Sequence, residues 1–303
     1  MTMTSGNFAK LLWPGIKKIY GDKYDAHKTE YTDIFKKETS DKSYEEYQGL
    51  SGFGLAQKKP EGQGIAFDTM RQGFTTRATN VVYALGFIIT RELYDDDQYS
   101  KVSTQRARAL AHSMRQTKEI VGANHINRAF TSGYTFGDGK TLCATDHPNV
   151  AGGSFSNMLA VASDLNQAAL EQMAIDLMNF TDDRGLKIAV MPKKLLIAPQ
   201  NTFEAERILK SALEYDTANN AINALKSKNV FPEGIAINHY LTDPDAFFIL
   251  TDQDGLVYQE RDADDFNQPP ENDWDTENAR YKARARYTFT AYDPRAIYGS
   301  AGA

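Results

Sequence analysis

The chain has 303 residues, 41% of them hydrophobic and 24% charged, with a formal net charge of -6 and a single cysteine. The length suits two unequal compact bodies, since single cores stop growing near 250–300 residues; no apolar run approaches the ~18 residues of a membrane span, and one cysteine excludes an internal disulfide. The acidic balance gives the whole molecule no electrostatic reason to bind nucleic acid, although a local basic face still can.

Residues 1–42 scatter apolar anchors (Phe8, Leu11, Leu12, Trp13, Ile16, Ile19, Tyr20, Tyr31, Ile34, Phe35) among many charges, too few to make a core. This segment reads as an arm that must dock on something else. Its opening, "MTMTSGNFAKLLWPGIKKIYG", lacks the apolar centre and cleavage site of a secretory signal, so a soluble cytoplasmic product is expected.

Next, "SYEEYQGLSGFGLAQ" and "IAFDTMRQGFTTRATNVVYALGFIIT" flank the turn-rich "KKPEGQG". The pattern predicts a long two-stranded hairpin whose return arm becomes fully apolar only from Val81 to Ile89. An isolated hairpin is marginal in water. One end is therefore expected to root in a core while the tip, with Lys58, Lys59 and Glu61, projects and meets other subunits.

From Lys101 to Phe130 the sequence reads as one helix, roughly 45 Å long at 1.5 Å per residue. Asp95, Asp96 and Asp97 lead into its positive dipole end. Ala107, Leu110, Ala111, Met114 and Val121 form a stripe that Ile120, Ala123, Ile126, Ala129 and Phe130 continue, and Arg106, Arg108, Arg115, Lys118 and Arg128 occupy the remaining surface. Such a helix is a strut lying along a sheet.

Beyond a loop-rich stretch to about residue 156, helical and strand-like segments alternate. "SDLNQAALEQMAIDLMNF" and "NTFEAERILKSAL" have helical spacing; "LKIAVMPKKLLIAPQ", "GIAINHYL", "AFFILTD" and "LVYQER" read as strands, the last two joined by a turn at "DQDG". These make a second core. After the acidic "RDADDFNQPPENDWDTEN", the segment "ARYKARARYTFTA" alternates without exception: Ala279, Tyr281, Ala283, Ala285, Tyr287, Phe289 and Ala291 against Arg280, Lys282, Arg284, Arg286, Thr288 and Thr290. As a strand it spans roughly 43 Å, which matches the helix. No internal repeat is evident.

Few motifs carry chemistry. Cys143 in "CATDHP" stands near Asp146 and His147, which would suit a thiolate nucleophile with its base; sequence neighbours rarely form such dyads, so a small loop residue is the favoured reading. "GYTFGDGKT" fails the phosphate-loop frame, because Tyr134 stands where the first glycine is required. Histidines 27, 112, 125, 147 and 239 show no metal spacing, and "DQDG" lacks the carboxylates of a calcium loop. No cofactor is expected. Arg280, Lys282, Arg284 and Arg286 could meet a neighbouring subunit or the phosphates of DNA, but a solvated face paired with neighbouring acids accounts for them more simply.

The order of elements resembles the major capsid protein of tailed phages, the Hong Kong 97-like fold. "MPKKLLIAPQNTFEAERILKS" and "TDPDAFFILTD" are similar to its axial domain, "YTFTAYDPRAIYGS" to its closing peripheral strand, and "DHPNVAGGSFSNMLAVASDLNQAALEQM" to the Mu-like head-subunit branch. The resemblance implies an α+β chain with an N-terminal arm (1–42), an extended hairpin or E-loop (43–82), a peripheral domain (83–155 and 278–303) with spine helix 101–131, and an inserted axial domain (156–277). It further implies a non-enzymatic subunit of hexamers and pentamers in an icosahedral shell around double-stranded DNA, assembled in a bacterial cytoplasm without membrane contact. Its partners would be copies of itself, a portal and a cement protein. A separate scaffolding protein is implied too, since no long charged coiled-coil segment precedes the arm. Two alternatives stand beside it: an encapsulin-like nanocompartment shell, and a cysteine hydrolase using Cys143 and His147.

Overall fold

A computed structural model describes residues 9–90, 92, 99–214, 221–267 and 278–303. In chain order, helix α1 (Ala9–Asp25), a 3₁₀ turn (Tyr31–Asp33) and strand β1 (Lys36–Thr39) precede the hairpin strands β2 (Tyr44–Leu50) and β3 (Gln72–Thr79). Strand β4 (Val81–Ile89) leads to the long helix α2 (Tyr99–Asn127) and the short strands β5 (His147–Pro148) and β6 (Ser154–Phe155). The inserted body holds α3 (Gln167–Met178), β7 (Pro192–Ile197), α4 (Thr202–Lys210), α5 (Ala224–Ser227), β8 (Ile235–Ile237) and β9 (Phe247–Thr251). Strands β10 (Leu256–Asn267), β11 (Ala279–Ala291) and β12 (Ile297–Ser300) close the chain.

The alternating segment is the backbone of the first sheet, ordered β1-β10-β11-β4. Its odd residues, Ala279 through Ala291, are all buried, while Arg280, Lys282 and Arg284 are exposed. The buried face packs on α2, where Ala107, Leu110, Ala111, Met114, Ala123 and Ile126 are buried as the stripe predicted. Gly122 sits where a Cβ would come within 3.1–3.2 Å of the Phe289 ring, so the helix approaches the sheet closely there. Ile120 departs from the expected stripe and is exposed.

Arg115 and Lys118 also differ from the sequence reading, which put them on the open surface: both are buried. The cause is the first segment of the chain. Ile16, Tyr20, Tyr31, Ile34 and Phe35 join the same core as α2 and the sheet, so the arm docks on its own subunit from residue 16 onward. It roofs the second face of the helix. Lys118 Nζ then lies 3.6 Å from Asp264 and 3.7 Å from Glu260, and the Arg115 guanidinium sits 4.8 Å over the Tyr24 ring. Glu119 accepts the backbone N–H groups of Glu30 and Tyr31 at 3.1 and 2.9 Å, tying the arm to the strut. Register shifts in β10 between Glu260 and Asp265 re-aim its acids, bringing Glu260 and Asp264 to the lysine.

The second sheet, β12-β9-β7-β8, is buried on both faces. Leu195, Ile197, Phe247 and Ile249 face the core made with α3, α4 and α5; Leu196, Phe248 and Leu250 face the core of the first sheet. That is why "FFILT" reads as a continuous apolar run and not an alternation. Two strands lie in the sheet opposite to the one their chain position suggested. β10 pairs with β11 and β1, not with the inserted body, and β12 pairs with β9, not with the peripheral sheet. The "DQDG" turn therefore joins strands of different sheets. The acids at 95–97 and most of the acidic loop, residues 268–277, lie outside the described residues.

Burial pulls the Lys118 pKa down while Asp264 and Glu260 oppose that shift. Truncating Lys118 leaves the buried Asp264 carboxylate with the Tyr20 hydroxyl but without its counter-charge, while Glu260 keeps Lys37 and the Tyr258 hydroxyl. Lys118→Ala is expected to cost roughly 3–5 kcal/mol in urea unfolding followed by circular dichroism, against under about 0.5 kcal/mol for exposed Lys17→Ala; equal losses would contradict this account.

Candidate functional site

Strands β2 and β3 pair from Tyr44↔Thr79 to Leu50↔Gln72, and Ser51 closes the ladder by exchanging backbone and side-chain hydrogen bonds with Arg71. Residues 52–71 form no strand and are exposed throughout. The predicted two-stranded unit is thus shorter than its sequence suggested, ending in a long loop. Lys58, Lys59 and Glu61 lie on that loop, exposed as expected. Its apolar residues are exposed as well: Phe53 59%, Leu55 78%, Ile65 69% and Phe67 95%. The base of the loop leans on the inserted body, where Arg184 donates to Asp68 Oδ2 at 2.5 Å and to the Thr69 carbonyl, while Gly54 N–H donates to the same carboxylate at 2.7 Å.

A second uncovered surface belongs to β4, which ends the first sheet and, among the described residues, pairs with no strand on its outer side. Val81, Val82, Leu85 and Ile88 are about half exposed. Opposite them on β11 stand Arg280 (Ile88), Lys282 (Gly86), Arg284 (Ala84) and Arg286 (Val82). The structure thus brings the four basic residues into one row between an apolar edge strand and the acids of β10. Arg284 lies 3.7 Å from Asp262, and half-buried Arg286 donates to the Asn80 carbonyl at 3.3 Å. An open strand edge of this kind is a template for another chain.

The chemistry-bearing motifs come apart. The Cys143 thiol is buried, and burial pushes its pKa up. His147 is turned to Asp138 and Asn157, with no hydrogen bond to Cys143 among the described residues. The "GYTFGDGK" stretch is a turn closed by Phe136 and Lys140, whose ammonium pairs with Asp146. His125 packs edge-on against Phe35; burial, then Arg128, holds its pKa down to about 4. No cluster of metal-ligating side chains occurs among the described residues. A cavity of about 290 Å³ at the hairpin root is walled by Leu50, Phe74, Phe136, Phe155, Tyr292 and Arg295. Cys143 is not in its wall.

Sequence reading missed two groups: the Lys118 cluster, and the trio Asp138, His147 and Asn157. Neither has a local signal. The first needs the arm's docking position, and the second is spread over an aperiodic loop.

Against known proteins, the model of the phage capsid protein family matches residues 73–300. Similar solved structures include the procapsid of bacteriophage JBD30 (16% identity, 98% of this chain and 76% of that one, TM-score 0.51). Mycobacterium phage Adephagia (12%, 90% and 90%, 0.53) and the capsid of an empty GTA particle (13%, 91% and 90%, 0.52) are others. No curated protein matches in sequence. With Cys143 sealed in the core, native subunits are expected to resist iodoacetamide and to label only on unfolding, read by intact mass; rapid native alkylation would overturn its burial.

Proposed function

The chain belongs to the phage capsid protein family, and we propose that it is a major head subunit whose hairpin and β4 edge are covered by neighbouring subunits. It has the Hong Kong 97-like fold of tailed-phage capsid proteins and is a structural protein of the virion. The observation that carries the assembly reading is the apolar loop of the hairpin. Leu55, Ile65 and Phe67 keep 69–95% of their surface in water on one loop, the kind of exposed apolar surface that marks a contact site, and a repeated contact with a neighbour removes it from water.

In this reading residues 1–42 are the arm, 43–82 the extended hairpin, 83–155 with 278–303 the peripheral part and 156–277 the axial part, with β10 and β12 exchanged as their pairing indicates. Subunits form hexamers and pentamers of an icosahedral shell around double-stranded DNA, built in the host cytoplasm with a separate scaffolding protein, a portal and a cement protein. Catalysis has no part in it. Membership in a phage capsid family favours a head over an enzyme-filled nanocompartment. The row Arg280, Lys282, Arg284 and Arg286 faces a neighbour or DNA, and its partial pairing with β10 acids favours the neighbour.

Lys58, Lys59 and Glu61 set the register of the hairpin contact. One exposed ion pair contributes about 0.2–1 kcal/mol, yet a shell repeats it in every subunit. The double variant Lys58→Glu, Lys59→Glu is expected to keep wild-type circular dichroism, to lose most particles by negative-stain electron microscopy at low salt, and to regain part of them in salt that screens the repulsion. Wild-type assembly at low salt would refute the assigned role.

A further inference from the structure

Strand β4 pairs with no strand on its outer side among the described residues, and the form of its exposure points to one kind of cover. A layer laid over one face would account only for alternate residues, since successive side chains of a strand point to opposite faces. On β4 both sets are uncovered. Val82 and Ile88, opposite Arg286 and Arg280 of the basic row, are 45% and 51% exposed; Val81 and Leu85, opposite buried Tyr287 and Ala283, are 47% and 49% exposed. Exposure on both faces calls for a neighbour beside the strand, in the plane of the sheet. Nor is the edge guarded: its nine residues, VVYALGFII, hold no charge and no proline, the devices that ordinarily keep strand edges apart.

The same residues select the neighbour. Laid antiparallel on a second copy about Leu85, the strand sets Val81 against Ile89, Val82 against Ile88, Tyr83 against Phe87 and Ala84 against Gly86, with Leu85 facing itself. Each pair matches in size and shape. Moving the axis to a neighbouring residue puts Val82 opposite Gly86 or Ala84 opposite Ile88, and the sizes no longer match. The backbone agrees with this register. The Ile88 carbonyl is turned to Arg106 Nη1 at 2.6 Å, off β11, so by the alternation of an antiparallel ladder the N–H and C=O groups of Val82, Ala84 and Gly86 also point outward. Ala84 and Gly86 of the two copies then exchange both bonds, Leu85 falls at a narrow pair, and the Ile88 carbonyl keeps a second lone pair beside Arg106.

We propose that β4 pairs with β4 of a second copy, antiparallel about a twofold axis at Leu85, joining the first sheets of two subunits into one. The electrostatics permit it. β4 brings no charge to the contact, and the two basic rows stay apart by three strand spacings, ~14 Å, with both β4 strands between them. The occupant is another subunit and not a free peptide, because the half-exposed side chains of one strand cover far less than the ~1,200 Å² that a stable interface buries. A chain already held nearby through its hairpin loop has the local concentration to add this strand. To that extent the pairing rests on the assembly reading.

A single introduced cysteine reads the axis. The native Cys143 is buried, so the new thiol is the accessible one. At a narrow pair the facing Cα atoms lie about 4.5 Å apart, inside the ~4.4–6.8 Å that a disulfide spans. After mild oxidation of the assembled full chain, Leu85→Cys is expected to run mostly as a disulfide-linked dimer on a non-reducing denaturing gel. Val81→Cys is the control: its offset from Ile89 puts the two thiols roughly 27 Å apart, and it is expected to run as single chains. Should Leu85→Cys not fold by circular dichroism, the double variant Val82→Cys, Ile88→Cys gives the same readout at exposed positions, dimers supporting the pairing and single chains overturning it. Particles without the Leu85 crosslink, or with equal crosslinking at Val81, overturn the twofold pairing and leave the assembly reading standing. Crosslinking at Leu85 in subunits that never form particles supports the pairing and counts against the shell. No crosslink and no particles overturns both.

Discussion

The contact between the buried face of β11 and the long helix organises the molecule. Small residues at 279, 283, 285 and 291 let helix and sheet approach, while Tyr281, Tyr287 and Phe289 fill the space between them. Everything else in the first body attaches to that pair: β4 and β10 on either side of β11, and the arm over the far face of the helix. Because β4 follows the hairpin directly and β11 comes from the end of the chain, the ladder between them fixes the hairpin root to the C-terminal segment. The inserted sheet then packs between two cores, with Phe130 of the helix end stacked on Phe248 at 5.6 Å. The strut is long because it must serve the whole length of β11.

What this arrangement leaves uncovered is as informative as what it buries. The inner faces of both sheets are filled, yet the hairpin loop and the β4 edge keep large side chains in water. Their cost to the isolated subunit is of the order of the hydrophobic effect, about 25 cal/mol per Å² of apolar surface. A shell built from many copies recovers that energy in every contact. The arm behaves differently. It satisfies its apolar anchors from Ile16 to Phe35 within its own subunit, so from residue 16 onward assembly need not supply its core.

The elements with strict periodicity were legible in the sequence. The period-two run 279–291 and the helical stripe from Ala107 to Ile126 are where the residue pattern put them, because each has one buried face and the pattern records that face. Sheet membership was not legible for β10 and β12, since "LVYQER" and "AIYGS" carry no information about which neighbour they pair with. Arg115 and Lys118 looked like surface charges; tertiary docking of the arm buried them, and compensating acids came from a bulged strand distant in sequence. The hydrogen-bonded trio of Asp138, His147 and Asn157 depends on side chains from a loop, where no period exists to read. Lys58, Lys59 and Glu61 were placed on an exposed loop by turn chemistry alone.

The central claim is that the hairpin belongs to the contact between subunits. A cryo-electron microscopy map of the particles formed by the expressed chain, with and without a co-expressed scaffolding protein, tests it most directly. The account predicts a closed shell in which residues 52–71 lie on a neighbouring subunit, with Phe67 and Leu55 removed from solvent. A shell in which residues 55–67 stay in water or fold on their own subunit would contradict it, as would a chain that remains monomeric at high concentration.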